Sequence, residues 1–175
     1  LFITTKYHLR FNEDRKFHEL QNINFKNSVP AKLIDQKLKN LNWISPNFKN
    51  PSQEVNLIKF AIKTLENDKN NIMLITNYLF LDTIIEKKLN STSRTFDPIS
   101  FPNKNNQYYD VYKNMFINKL KAKEIKNIYL FYGFTVNDDQ ISRYIGTYLS
   151  KDCFEKETII PELVRLKLKD CKDLR

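Results

Sequence analysis

Two stretches, Ile72-Met73-Leu74-Ile75 and Ile128-Tyr129-Leu130-Phe131-Tyr132, contain no charged residue, and each lies between segments of helical periodicity. A strand that shows no polar alternation has to be covered on both faces, whereas one face of an edge or open strand stays wet. These two runs therefore predict a central sheet with helices on it. Everything else in the chain is arranged around that requirement.

The helical segments carry their own punctuation. Before the first run, Asn50 offers a cap, Pro51 suits the first helical position, and Gln53 can complete a capping box. Val55, Ile58, Ala61, Ile62 and Leu65 then recur at three- and four-residue spacing, followed by a turn at Asp68 to Asn71. After the first run, Asn77 is a natural cap for a helix from about Leu79 to Leu89. Asn90 to Gln107, with Pro98 and Pro102, reads as a long loop, a type that carries function more often than short connections do. A helix near Asn106 to Ala122, with Tyr108, Tyr112, Met115, Phe116 and Leu120 inward, leads to the second run, which Gly133 ends. Asn137 with Gln140 then caps a helix bearing the stripe Ile141, Tyr144, Ile145, Tyr148 and Leu149.

Upstream, Gln21 to Phe25 alternates as a short strand. Pro30 opens a helix to about Lys39, and Leu41 to Ile44 reads as a short edge strand ended by Pro46. At the other end, Val164, Leu166 and Leu168 alternate with Arg165, Lys167 and Lys169, which suits an edge or antiparallel strand. The expected fold class is α/β: a three-layer, Rossmann-like sandwich with a mostly parallel sheet and an antiparallel or edge C-terminal strand. Residues 1–20 form an entry or juxtamembrane segment, and residues 21–175 form a single α/β domain.

Charge narrows the function classes less than its size suggests. The formal net charge is +9, but it comes from 23 Lys and only 6 Arg, alongside 21 Asn and 18 Ile. Those residues share AT-rich codons, and recognition of bases or phosphates leans on the arginine fork. Lysine-driven nucleic-acid binding is thus the third-ranked reading, and its mark would be a steep salt dependence. Glycine occurs only at Gly133 and Gly146, so neither GxGxxG nor a Walker loop is present and no cofactor is expected. His8 and His18 stand ten residues apart, unlike a helical metal pair, and no metal site is expected. Cys153 and Cys171 flank a segment that looks like a hairpin or paired edge. They would form a disulfide in an oxidising compartment and remain two thiols otherwise.

In parallel sheets, ligands bind beyond the carboxyl ends of the strands. That rule selects Asn77, Tyr78 and Tyr132, with Arg94 and Asp97 of the long loop, as a candidate strand-end cleft; the catalytic residues stay unknown. Alternatively, Asn77 is only a helix cap and the tyrosines are core. His8, Arg10, Arg15, Lys16 and His18, mixed with aromatics, could face a membrane surface, or form a solvated charged segment. Leu1 to Thr5 reads either as the last turn of an apolar helix or as a buried first strand. No run of roughly 18 or more apolar residues is present.

The stretch His8 to Leu20, the turn Asn42-Trp43-Ile44-Ser45-Pro46 before a capped helix, and Ile72-Met73-Leu74-Ile75-Thr76-Asn77-Tyr78 followed by Ser93-Arg94-Thr95-Phe96 together set a texture. It resembles the C-terminal soluble domains of multi-spanning, lipid-linked-sugar-dependent glycosyltransferases of the protein mannosyltransferase and aminoarabinose transferase type, from AT-rich alphaproteobacteria. The resemblance implies an accessory domain on the extracytoplasmic face of the inner membrane, non-catalytic by itself. Its partners would be the transmembrane region of the same chain and membrane lipid or a lipid-linked sugar. The alternative is a stand-alone small-ligand-binding module or small enzyme that uses the strand-end cleft.

Overall fold

The structure, a computed structural model, describes residues 2–9, 24–92 and 101–174, with the side chains of residues 7–9 left out of the description. Chain contacts divide it into two units, Leu1–Lys59 and Phe60–Arg175. The expected boundary near residue 20 lies outside the described residues.

In the first unit, helix α1 (Phe2–Leu9) exposes Phe2 and Ile3, so the reading of the opening residues as a buried strand does not hold. Strands β1 (Val29–Pro30) and β2 (Asn42–Trp43) pair antiparallel through Val29 with Trp43 and Pro30 with Asn42. The helix expected from Pro30 to Lys39 is instead two 3-10 turns, Ala31–Leu33 and Gln36–Leu38. The reason is local. Pro30 is held extended by the β2 pairing, and Asp35 accepts from its own neighbour Lys37 N at 2.7 Å, an alternative to helical bonding that breaks the run. Phe25 lies in another 3-10 turn rather than a strand. Trp43 Nε1 donates to the buried Glu54 carboxylate at 2.8 Å.

Helix α2 (Pro51–Asn67) forms as its punctuation requires, with Asn50 Oδ1 accepting from Ser52 N. Val55, Ile58, Ala61 and Leu65 are buried along one stripe.

The second unit is built on a four-stranded sheet of order β3-β4-β6-β5. Strands β3 (Ile72–Thr76) and β4 (Asn127–Phe131) are the two apolar runs, and every residue in both is buried. They pair parallel, Ile72 with Asn127 through Thr76 with Phe131. Strand β6 (Leu163–Leu168) is antiparallel to β4, and β5 (Phe154–Ile160) is antiparallel to β6. The sheet is therefore mixed, with one parallel pair, and not mostly parallel. The short Pro161-Glu162 connection allows β6 to return only as a hairpin partner of β5, since a parallel return needs a crossover.

Strand β6 has the wet and dry faces its alternation implies: Val164 and Leu166 are buried, Lys167 exposed. Its dry face joins a core with Met73, Ile75, Ile128 and Leu130, covered by Phe116, Ile117 and Leu120 of α4 (Tyr109–Ala122) and by Ile141, Tyr144, Ile145, Tyr148 and Leu149. Ile141 ends α5 (Asp138–Ile141), which the expected Asn137–Gln140 capping box begins; Tyr144 and Ile145 lie in the π turn Ser142–Gly146 that continues it, and Tyr148 and Leu149 follow in the turn beyond. Helix α4 is rotated from expectation. Tyr108 and Met115 are 63% and 41% exposed, because Ile117 rather than Met115 takes the core position beside Phe116.

The β5–β6 hairpin is closed by a disulfide between Cys153 and Cys171, whose Cα atoms stand 5.1 Å apart. Both residues are buried.

Candidate functional site

The carboxyl end of β3 opens into a cleft of about 400 Å³ lined by Leu74, Thr76, Tyr78, Leu79, Leu81, Asp82, Leu89, Ser91 and Thr92. How that cleft arises follows from the segment after β3. The helix expected from Leu79 to Leu89 is a single turn, α3 (Leu81–Ile84), because Ile85 is extended and the chain is then drawn to the free edge of β3. Leu74 N donates to Leu89 O at 2.8 Å, Asn90 Nδ2 to Ile72 O at 2.9 Å, and Ser91 Oγ to Leu74 O at 2.7 Å. An open sheet edge leaves backbone groups unpaired, and residues 89–91 satisfy these. The excursion between Thr76 and Leu89 leaves a space roofed by α3.

Asn77 does not cap α3, whose first turn has no side-chain cap; Asn77 is exposed next to the cleft. Tyr78 lines it, with its ring stacked on Phe131 at 4.9 Å. Tyr132 lies on the opposite face of the sheet, in the α4/α5 core, stacked on Tyr144 at 5.8 Å. Burial, with Tyr144 beside it, pushes the Tyr132 hydroxyl well above the usual tyrosine range. Phe131 and Tyr132 are successive residues at the end of β4 that the pleat sends to opposite faces, and Tyr78 keeps to the Phe131 side. Arg94 and Asp97 lie outside the described residues. So do Arg10, Arg15, Lys16 and His18 of the suggested membrane-facing set, while His8 falls within α1.

Sequence reasoning missed Asp82, Ser91, Thr92 and Lys119. Lys119, on α4, reaches Ser91 O with Nζ at 2.5 Å. Burial and then Lys123 lower its pKa, with Asp82 opposing the shift. Thr92 Oγ1 lies 3.1 Å from Tyr112 OH, and burial raises the pKa of Tyr112. These residues come from three separate stretches of sequence, and no spacing rule joins them. The one signal available was the position of Thr76 at the end of an all-apolar run.

A second polar cluster occupies the other end of β4. Asp68 Oδ2 accepts from Asn127 Nδ2 at 2.6 Å and from Tyr129 OH at 2.7 Å. Burial raises the Asp68 carboxyl, but the bonds from Asn70, Tyr129 and Asn127 outweigh it and the net shift is downward. Tyr129 is pushed up to about 12, first by burial and then by Asp68. Next to it, Arg165 grips Glu157 through two nitrogens, and Lys167 meets the same carboxylate at 2.7 Å. This cluster is satisfied internally and ties the helix end to the sheet.

Among the described residues, neither cluster sets a nucleophile against a base. Among the described residues no group of three or more His, Cys, Asp or Glu side chains could hold a metal ion. Also among the described residues, no helix is long and apolar enough to cross a membrane. No protein-family model, curated protein or solved structure matches this chain.

Proposed function

We propose that the chain is an extracytoplasmic accessory domain of a membrane-embedded, glycosyltransferase-like protein, and that it performs no chemistry alone. The observation that carries this reading is the Cys153–Cys171 disulfide. Disulfides persist in oxidising compartments and are rare where glutathione and thioredoxin keep thiols reduced. Two apolar side chains displayed on α1, Phe2 and Ile3, beside Lys6, support a partner that is apolar with a charged margin. In this reading the partner is a transmembrane region of the same protein, together with membrane lipid or a lipid-linked sugar.

The three-layer, Rossmann-like order belongs to the same proposal. Helices α4 and α5 cover one face of the sheet, and α3 with the end of α2 is assigned to the other. The bond from Tyr129 to Asp68, one residue past α2, supports that assignment.

The test is made on the full-length protein in its own cells. Fractionation should place it with membranes, and Cys153 and Cys171 should resist alkylation until reductant is added. Recovery in the cytosol with both thiols alkylated at once would overturn the proposal. The transferase part has its own check: membranes bearing the protein should transfer sugar from a lipid-linked donor, and membranes lacking it should not. Equal transfer in both removes that part.

A further inference from the structure

The outward face of α4 carries an apolar line. Val111 is 69% exposed, and Tyr108 and Met115, turned away from the core as described above, stand on the same side of the helix. Exposed Asn118 and Ala122 extend the row. Residues 108, 111, 115, 118 and 122 alternate spacings of three and four, the pattern that keeps one side of a helix turned toward a neighbouring helix. The chain is 28% charged, yet the charged residues of α4, Asp110, Lys113, Lys119 and Lys121, all stand off this line. A contiguous face with Tyr and Met and without charge has the composition of an interface core, whereas apolar side chains exposed singly need no explanation.

The charges beside the line select the neighbour. Asp110 is the one acid of α4 and sits in its first turn, while Lys119 and Lys121 sit in its last. Asp110 and Lys121 are 11 residues apart, about three full turns, so they share one flank of the line. Two copies of α4 side by side in the same direction would set acid beside acid and lysine beside lysine, which repels. Running in opposite directions about a two-fold axis, each copy brings Asp110 to the lysine end of the other. The same arrangement, centred near residue 113, lays Val111 of each copy on Met115 of the other and Tyr108 beside Asn118, whose amide can accept from the phenol hydroxyl. A bilayer would take the apolar line, but it favours cations on the flanks and gains nothing from Asp110.

We infer that α4 is the interface of a two-fold homodimer, in which a second copy of the chain packs its α4 antiparallel on the first. One 14-residue helix offers less than the about 800 Å² per partner of a standard interface, so the dimer is weak, with a dissociation constant on the order of 100 µM. This goes beyond the accessory role proposed above and does not depend on it.

The experiment is sedimentation equilibrium of the whole chain from about 10 µM to about 1 mM, a range that brackets the expected constant. The mass should rise from 21.0 kDa toward twice that value and no further. Val111→Lys with Met115→Lys sets like charges across each apolar contact and should raise the dissociation constant about tenfold or more. Asp110→Lys should also weaken the dimer, and Asp110→Lys combined with Lys121→Asp, which exchanges the two charges, should restore it. All four side chains are exposed, so circular dichroism should report the same fold in every variant. A mass fixed at 21.0 kDa throughout, growth past the dimer, or a dimer indifferent to Val111→Lys with Met115→Lys overturns the inference. So does a charge exchange that fails to restore association, or a monomer that instead sediments with phosphatidylglycerol vesicles through the same two apolar residues. Cell fractionation reads the compartment separately, so either proposal can fail without the other.

Discussion

Tyr129→Phe removes one oxygen from a fully buried ring and leaves the rest of the packing intact, which makes it the cleanest probe of the second unit. The lost bond is the one to Asp68 Oδ2 at 2.7 Å; the Arg165 Nη1 contact at 3.5 Å is at the limit of hydrogen bonding. A hydrogen bond to a charged group contributes about 1.5–3 kcal/mol. Asp68 is partly exposed, so water replaces some of the bond and the lower end applies, about 1.5 kcal/mol. Urea unfolding at neutral pH should show this as a lower midpoint with an unchanged slope.

The pH dependence gives the sharper test. The folded pKa of Asp68 lies below its ordinary value of 3.8. Its contribution is therefore complete above that value and is lost as pH falls through the folded pKa. The gap between wild type and Tyr129→Phe should be full at pH 6 and narrow below about pH 4. Tyr129 behaves oppositely. Its pKa is raised from 10.0 to about 12, so its stability is fully present below 10 and is lost as pH climbs toward 12. That alkaline loss should vanish in the variant, which has no hydroxyl to ionise. A variant as stable as wild type at pH 6, or a gap that does not change with acid, would refute the account of this cluster.

Reduction of Cys153–Cys171, which are separated by 18 residues, should lower stability by about 3 kcal/mol from loop entropy; Cys153→Ser with Cys171→Ser should match the reduced wild type in calorimetry. Trp43 is the single tryptophan, and its Nε1 bonds to the buried Glu54. Glu54→Ala should remove the carboxylate that accepts from the indole N–H, cost about 1–3 kcal/mol, and shift the emission maximum of Trp43; an unchanged spectrum contradicts the contact. Asn137→Ala removes one half of the capping box and should cost about 1 kcal/mol in thermal melts, while Asn137→Ser should cost much less.

Features that depend on neighbours in sequence were legible in it. Asn50 and Pro51 start α2, Asn137 with Gln140 starts α5, and the two apolar runs become β3 and β4, because caps and two-faced burial are written within a few residues. The stripe Ile141, Tyr144, Ile145, Tyr148, Leu149 was equally legible, since a helical face is a local property.

Long-range pairing was decided only in three dimensions. The outer strand β5 reads Phe-Glu-Lys-Glu-Thr-Ile-Ile and has no fully buried residue, so its burial pattern carried little signal. Its place comes from Glu155 and Glu157 lying opposite Lys167 and Arg165 across the hairpin. That pairing makes the sheet mixed. The expected helix after β3 gave way for the same kind of reason: Leu89 to Ser91 satisfy the exposed edge of β3, which local propensity does not see. The candidate cleft is a consequence of that tie. Sequence alone established two strands buried on both faces, their capped helices, and the absence of a glycine phosphate loop. Only the closure of the β3 edge by a segment some 15 residues downstream brought Thr76, Asp82 and Ser91 around one space, because the backbone groups of that edge had to be paired.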